Sequence, residues 1–275
     1  MKISLISQLI IIFVVTQLIG LAVGSALIGA IAAGDIEQPT IITDNPEDVE
    51  NAIGLFVYII VFTVILLIAI KFLKGAFLFR LLEAFVVFIA SLIVFGVFLP
   101  GLELLFAVLL VALRFAIPRN VMLRNATAVI AIAGVGSLIG ISMGLLPVLI
   151  FLVLLSAYDL IAVFGTKHMV TLAKGITKRN LAFTVALPTE EHQFELGTGD
   201  LAMPLMLAVS VMRSYSAVGY PLYLVPAAAV LLGSLVGLIL TMSYISKRVG
   251  IALPALPPQT LCMVVALLIV KLAWL

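Results

Sequence analysis

Residues 197–212 read Gly197-Thr198-Gly199-Asp200 and then LAMPLMLAVSVM, which places a carboxylate behind two glycines at the start of an apolar run. Such a run predicts a helix inside a membrane, where an ionised Asp costs several kcal/mol on insertion scales. A second carboxylate, Asp159, lies near the end of the preceding apolar run and is the only other Asp placed well inside one. Because carboxylates at such positions are usually functional, both are candidate functional residues.

The composition is that of a membrane protein. Of the 275 residues, 64% are hydrophobic and 10% are charged, and the mean hydropathy is +1.37, values far from those of soluble globular domains. A spanning helix needs about 20 apolar residues. We therefore predict an all-α polytopic membrane protein, a single membrane domain over residues 1–275, with nine transmembrane helices in the apolar runs 5–33, 52–70, 81–99, 102–117, 126–145, 148–164, 198–212, 222–244 and 255–275.

The basic residues decide the predicted orientation. With the amino terminus inside, thirteen of the fifteen Lys and Arg residues fall in cytoplasmic segments, and only Arg213 and Lys271 fall outside. The positive-inside rule then predicts a cytoplasmic amino terminus and, after nine spans, an external carboxyl terminus. We predict a multi-pass protein of the cell membrane, in which residues 1–146 (helices 1 to 5) form a scaffold and residues 147–275 (helices 6 to 9, with the polar loop 165–196) form the catalytic part.

The sequence predicts no metal or cofactor. Cys262 is the single cysteine, which excludes an intramolecular disulfide and a cysteine-rich metal site. The two histidines, His168 and His192, both fall in the polar loop. Their position argues against a histidine-based metal site among the membrane helices.

The two aspartates lie at matching depths in consecutive antiparallel helices. Asp159 is roughly 9 Å and Asp200 roughly 6 Å inside the cytoplasmic end of its run, at 1.5 Å per residue. Asp200 alone is equally well explained as a helix cap, but Asp159 lies where the helix dipole disfavours an anion. Two carboxyls that meet in a partly dry site share a proton and titrate as a coupled pair. One can accept a proton from water while the other protonates a scissile amide, as in aspartic proteases.

Neighbouring residues support such a site. Gly197 and Gly199 supply backbone freedom where the helix begins, and Tyr158 carries a hydroxyl that can hydrogen-bond within the site. Pro254-Ala255-Leu256-Pro257 opens the ninth run on the same side of the membrane. Its two prolines are predicted to hold the chain out of a helix and to leave carbonyls free.

Other features of the apolar runs are interpreted as packing. Glu83 follows Arg80 by three residues, which predicts an ion pair between them at the interface. Small residues at a spacing of four let helix backbones approach closely, and this spacing occurs at Gly20 and Gly24, at Gly136, Gly140 and Gly144, and at Gly233 and Gly237.

Three motifs together resemble a known family. Tyr158-Asp159, the GxGD pattern at Gly197–Asp200, and Pro254-Ala255-Leu256 occur in the order found in the presenilin and signal peptide peptidase family of intramembrane aspartyl proteases. The resemblance implies that Asp159 and Asp200 are catalytic and that Pro254, Ala255 and Leu256 support the site. Thr198 stands where the family commonly has Leu, a departure that bears on substrate preference.

The chain resembles both branches of that family. The residues that follow Tyr158-Asp159 look most like signal peptide peptidase, whereas Pro254–Pro257 and the cytoplasmic amino terminus look more like presenilin. This mixture resembles a microbial presenilin homologue. In presenilin the loop that corresponds to residues 165–196 is cut during maturation, and whether this loop is cut is left open.

An apolar stretch, Leu181–Leu187, interrupts the polar loop and ends at Pro188. With the β-branched Thr184 and Val185, residues 182–187 predict a strand beside the active site. We expect this strand to pair with an unwound substrate, because strand addition exposes an amide that a helix keeps hydrogen-bonded.

Two other functions are left open by the residues. A proton- or cation-coupled transporter or channel would use Asp159 and Asp200 to carry protons or to bind a cation in a helix break. A prepilin-peptidase-like enzyme also carries a GxGD pattern, but it predicts no Pro-Ala-Leu segment. The predicted partners are transmembrane-helix protein substrates and the lipid bilayer. Nucleic acid is not expected, no obligate partner protein is indicated, and a homo-oligomer is left open.

Overall fold

A computed structural model describes residues 4–72, 77–165, 182–189, 193–246 and 254–273. Within these ranges the chain is mostly helical. The α-helices are α1 Leu5–Ala33, α2 Val49–Phe72, α3 Phe77–Phe98, α4 Glu103–Ala116, α5 Val121–Ser142, α6 Leu145–Leu160, α7 Gly199–Ser214, α8 Leu224–Ser246 and α9 Leu256–Ala273. A π-helical turn, Ile161–Gly165, continues α6, and two strands, β1 Thr184–Pro188 and β2 Gln193–Gly197, precede α7.

Seven of these helices are long and apolar enough to cross a membrane, when α6 is counted together with its π-helical turn as Leu145–Gly165. The other two described helices are shorter, α4 with 14 residues and α7 with 16. The prediction of a multi-pass helical membrane protein is confirmed. The count of nine spans, the orientation of the termini and the division at residue 146 stay predictions. Several basic residues that determine the orientation lie outside the described residues: Lys2, Lys74, Lys167, Lys174, Lys178, Arg179, Lys247 and Arg248.

Helix α7, which carries Asp200, lies at the centre of the bundle. It packs against α1, α5, α6, α8 and α9, and ten of its 16 residues are buried. Its opposite faces belong to two hydrophobic clusters, with Leu205 in one and Met206 in the other. Because burial of apolar surface from several sides restrains a helix, this packing fixes the position of Asp200.

Glycines let α7 approach its neighbours closely. Gly20 of α1 and Gly136 of α5 face Leu205, and Gly24 of α1 and Gly140 of α5 face Val209. A Cβ atom added at Gly140 would lie 2.6 Å from the carbonyl oxygen of Met206, too near for any side chain. The predicted close-packing role of this spacing is therefore confirmed for α1 and α5. Gly233 and Gly237 of α8 pack in the same manner against the backbone of α9.

A short hairpin departs from the all-α prediction. β1 and β2 pair antiparallel, with Val185 opposite Leu196 and Ala186 opposite Glu195. The strand predicted over residues 182–187 is thus confirmed, although it begins at Thr184 and extends to Pro188. Since β2 runs directly into α7, the hairpin is continuous with the helix that carries Asp200.

Candidate active site

Asp159 lies in the last turn of α6, just before the π-helical turn. Its carboxylate is partly exposed and accepts a hydrogen bond from the backbone N–H of Leu256. Leu256 is the first residue of α9, where backbone N–H groups have no partner within the helix. The start of α9 therefore provides a fixed donor to Asp159, and it compensates for the unfavourable position of an anion near the end of α6.

Asp200 is the second residue of α7 and follows β2 directly. The residue as a whole is partly exposed, and its carboxylate accepts a hydrogen bond from the backbone N–H of Gly197. A Cβ atom at Gly197 would lie 3.4 Å from Oδ2 of Asp200, whereas Gly199 is exposed with open space beside it. A small residue at position 197 thus leaves the carboxylate room beside the strand.

Asp159 and Asp200 lie on neighbouring helices of the bundle. The two helices, α6 and α7, pack against each other, and Asp159 is near enough to act electrostatically on Asp200. Both residues are partly exposed. Two interacting carboxyls with access to water can divide the roles of general base and general acid between them.

Tyr158 points towards α2. Its ring contacts Phe56 edge to face, with 6.1 Å between ring centroids, and its hydroxyl is hydrogen-bonded to Thr63. The partner of the Tyr158 hydroxyl thus comes from a neighbouring helix, and the predicted hydrogen bond within the site stays a prediction. Through these contacts Tyr158 ties the aspartate-bearing end of α6 to α2.

The residues around the GxGD pattern adopt ordinary backbone conformations. The described glycines with positive φ are Gly34, Gly101 and Gly219, so the predicted conformational freedom of Gly197 and Gly199 is not used here. Thr198 precedes α7, and its hydroxyl donates to the carbonyl of Phe183 at 3.1 Å. Thr198 thereby joins the base of the hairpin to the start of α7.

The Pro-Ala-Leu segment leads into α9. Pro254, Ala255 and Leu256 are buried, and α9 begins at Leu256. The prediction that the prolines keep this segment out of a helix is wrong for Pro257, which lies in the first turn of α9. A proline is tolerated there because the N–H groups of a first turn have no helical partner.

The outer edge of β1 is closed by side chains of the bundle. Asn125 of α5 bonds both backbone groups of Ala186, so these groups face away from β2. In an antiparallel ladder, residues whose backbone groups point towards the partner strand alternate with residues whose backbone groups point away from it. The carbonyl of Pro188, two residues after Ala186, therefore also points away from β2. It accepts a hydrogen bond from Gln8 of α1 at 2.8 Å. The expectation that β1 pairs with a substrate does not fit this arrangement, because the edge is occupied.

The outer edge of β2 is the available one. By the same alternation, Gln193, Glu195 and Gly197 direct their backbone groups away from β1. The N–H of Gly197 reaches the carboxylate of Asp200, so this edge runs towards the aspartates. Within the described residues, no other group hydrogen-bonds to the backbone of Gln193 or Glu195. As far as the described part of the chain shows, an added strand would find donors and acceptors without a partner at this edge.

Two ion pairs hold the hairpin against the helices. Arg124 of α5 is 1% exposed, and its Nη2 lies 3.0 Å from Oε2 of Glu195 in β2. Arg114 of α4 places Nε 2.8 Å from Oε1 of Glu83, which also accepts the N–H of Ala182 at 3.1 Å. The predicted pair of Glu83 with Arg80 is wrong, because Glu83 is buried and turned towards α4.

The sequence patterns identified neither Arg124 and Asn125 as contacts of the hairpin nor Arg114 as the partner of Glu83. Their partners lie 31 to 71 residues away along the chain, and local spacing carries no information on such contacts. Arg114 and Arg124 did carry one signal, because each lies close to the apolar part of a predicted helix. A basic residue that is buried there needs a partner.

The described residues contain no group of His, Cys, Asp and Glu side chains able to hold a metal ion. His168 and His192 lie outside the described part of the chain, as does most of the loop 165–196 with its question of maturation cleavage.

Comparison with known proteins gives a consistent result. The chain matches the family described as signal-peptide peptidase, presenilin aspartyl protease over residues 10–273. Two solved structures of a presenilin family intramembrane aspartate protease, in C222 and P2 space groups, are each 26% identical to the chain. The first has a TM-score of 0.64 with 94% of each chain covered, and the second 0.66 with 96%. No curated protein matches the chain. None of these similarities supports the transporter alternative.

Proposed function

Because the chain belongs to the signal-peptide peptidase and presenilin family of aspartyl proteases, we propose that it hydrolyses peptide bonds within transmembrane segments, with Asp159 and Asp200 as its catalytic pair. The observation that carries the proposal is the placement of the two aspartates on packed helices, Asp159 at the end of α6 and Asp200 where β2 meets α7. The chain is a multi-pass membrane protein, so its substrates reach the site through the bilayer.

The reaction needs one ionised and one protonated carboxyl. The ionised group removes a proton from water as the water oxygen bonds to the scissile carbonyl carbon. The protonated group first donates to the carbonyl oxygen, and a proton then passes to the amide nitrogen as the carbon–nitrogen bond breaks. Water is the only co-reactant, and no metal or cofactor enters the proposal.

The free edge of β2 supports a mode of substrate binding. A transmembrane helix keeps its amides hydrogen-bonded, so the segment to be cut must first unwind. An extended segment that paired with the backbone of Gln193, Glu195 and Gly197 would satisfy its own amides and pass beside Asp200. The substrate would then lie close to Gly197, Thr198 and Gly199. The other proposed site residues would support the aspartates on the side away from the substrate: Tyr158, Pro254, Ala255 and Leu256.

The proposal is tested with purified protein in liposomes and a single-span substrate. We expect the parent to cleave the substrate and both Asp159→Asn and Asp200→Asn to lose all product while the folded protein is retained. Asp44→Asn, in the loop between α1 and α2, is the matched control and should cleave like the parent. Cleavage that persists in either site variant overturns the catalytic assignment.

The transporter alternative is tested in the same liposomes. Proton or cation flux that depends on Asp159 and Asp200, in a parent that yields no cleavage product, would replace the protease proposal. Cleavage without such flux supports it.

A further inference from the structure

The first turn of α9 contacts both helices that carry the aspartates. The N–H of Leu256 bonds the carboxylate of Asp159 on α6. Three residues later, Nε2 of Gln259 lies 3.0 Å from the backbone oxygen of Asp200 on α7. Next to it, Oγ1 of Thr260 lies 2.9 Å from Oγ of Ser156 on α6. One helical turn therefore touches both sides of the proposed catalytic pair.

The hydrogen bond from Gln259 replaces one that is missing within α7. Pro204 lies within this helix, and because proline has no N–H, the carbonyl of Asp200 four residues earlier loses its helical partner. Gln259 is fully buried and donates to that carbonyl. Its second amide hydrogen reaches Oγ of Ser234 on α8 at 3.2 Å, which orients the amide. A buried amide with both hydrogens bound holds its acceptor in one place.

The bond between Thr260 and Ser156 acts on the other helix. Ser156 is buried and precedes Asp159 by three residues, so the two lie on the same face of α6 one turn apart. Thr260 is also buried. The hydroxyl pair therefore prevents α6 from sliding along or turning against α9 near Asp159.

We propose that Gln259 and Thr260 are positioning residues that set the separation of the Asp159 and Asp200 carboxyls. The expected effect on catalysis rests on the proposed function. The effect on the separation of the two side chains does not depend on that function. Neither side chain touches the substrate edge of β2, and both act through the helices that carry the aspartates. Loss of either bond should therefore slow the chemical step and leave substrate binding unchanged.

The test uses isosteric variants in the full chain. Gln259→Met and Thr260→Val remove the hydrogen bonds and keep the side-chain volume, whereas Thr260→Ser retains the hydroxyl. Ser137→Ala is the matched control, because Ser137 also makes a buried bond between helices, to the carbonyl of Gly20 at 2.8 Å. We expect kcat to fall about 10- to 100-fold in Gln259→Met and Thr260→Val with KM unchanged, since small misplacements of reacting groups have effects of this size. Thr260→Ser and Ser137→Ala should keep the parent kcat.

A second readout does not depend on activity. In a Cys262→Ser background, Asp159→Cys and Asp200→Cys are joined with a short bis-maleimide, and the yield reports their separation. We expect Gln259→Met and Thr260→Val to lower this yield several-fold, and Ser137→Ala to leave it unchanged. If the yield changes while the parent protein, with both aspartates intact, does not cleave the substrate, the positioning role is supported and the proposed protease is overturned.

Either of two results overturns the positioning role itself. One is a parent-like kcat together with a parent-like cross-linking yield in Gln259→Met and Thr260→Val. The other is an equal loss in Ser137→Ala, which would assign the effect to general destabilisation. The midpoint of thermal unfolding of each variant is measured in detergent alongside both readouts. Cleavage and cross-linking are then measured below the lowest midpoint, so that every variant is folded during the assay.

Discussion

Asn125 exchanges two hydrogen bonds with the backbone of Ala186, accepting from its N–H at 2.9 Å and donating to its carbonyl at 2.8 Å. A side-chain amide used in this manner replaces a neighbouring strand, because it offers one donor and one acceptor at the same edge. Asn125 of α5 therefore blocks the addition of a further strand at the middle of β1. Among the described residues, Gln193 and Glu195 on β2 have no such partner for their outward backbone groups.

Replacement of Asn125 by Ala is expected to weaken substrate binding. The change leaves the N–H and carbonyl of Ala186 unpaired in a partly buried position, and the hairpin then moves away from α5. KM for a single-span substrate should rise by about tenfold, which corresponds to the loss of roughly 1.4 kcal/mol in binding. The measurement is cleavage rate against substrate concentration in liposomes.

The control for Asn125 lies one turn away. Asn120 caps α5 by accepting from the N–H of Leu123 at 3.0 Å, and it does not touch the hairpin. Asn120→Ala should cost about 1 kcal/mol of stability with KM unchanged. An equal rise of KM in both variants would mean that the end of α5, and not its bond to Ala186, determines binding.

Proline at position 185 is expected to abolish most of the cleavage. Val185 belongs to a pair that exchanges hydrogen bonds with Leu196, and proline removes the N–H of that pair from the ladder. Val185→Ala keeps the N–H while it shortens the side chain, so it serves as the control and should retain more activity. Full activity of Val185→Pro in the liposome assay would show that the hairpin is not needed for cleavage.

Replacement of Arg114 alone should lower the stability of the protein more than replacement of both Glu83 and Arg114. Arg114→Met leaves the buried carboxylate of Glu83 without its charged partner, and such a change costs about 3–5 kcal/mol. In Glu83→Gln/Arg114→Met the charge is removed as well, while the Gln oxygen can still accept the N–H of Ala182. Thermal unfolding in detergent should therefore place the double variant above Arg114→Met. The reverse order would show that the Glu83 carboxylate without Arg114 costs less stability than its replacement by Gln.

Sequence patterns predicted the features that depend on composition and on short spacing. The apolar runs predicted the helices because a bilayer demands about 20 apolar residues per span. The matching depths of Asp159 and Asp200 in consecutive antiparallel runs predicted that their helices are neighbours, and α6 and α7 do pack against each other. The strand over residues 182–187 followed from β-branched residues between polar segments.

The remaining features depend on which helices become neighbours. Glu83 was paired with Arg80 by spacing, but the buried face of α3 turns it towards Arg114 instead. Closure of the β1 edge by Asn125 needs α5 beside the hairpin, a contact between residues 61 positions apart. Pro257 lies inside α9 because a first helical turn tolerates proline, and the sequence alone does not show where that turn begins.

The close approach of α5 and α7 gives a further prediction for stability. A Cβ atom at Gly140 would lie 2.6 Å from the carbonyl oxygen of Met206, a backbone atom that cannot turn aside. Gly140→Ala should therefore cost about 1–3 kcal/mol through overpacking and lower the midpoint of thermal unfolding in detergent. Gly96 of α3 is the control, because no atom lies within 4 Å of its added Cβ. Gly96→Ala should gain roughly 0.5–1 kcal/mol from the better helix propensity of alanine. A midpoint for Gly140→Ala equal to that of Gly96→Ala would contradict the packing of α7 against α5, and with it the restraint on Asp200.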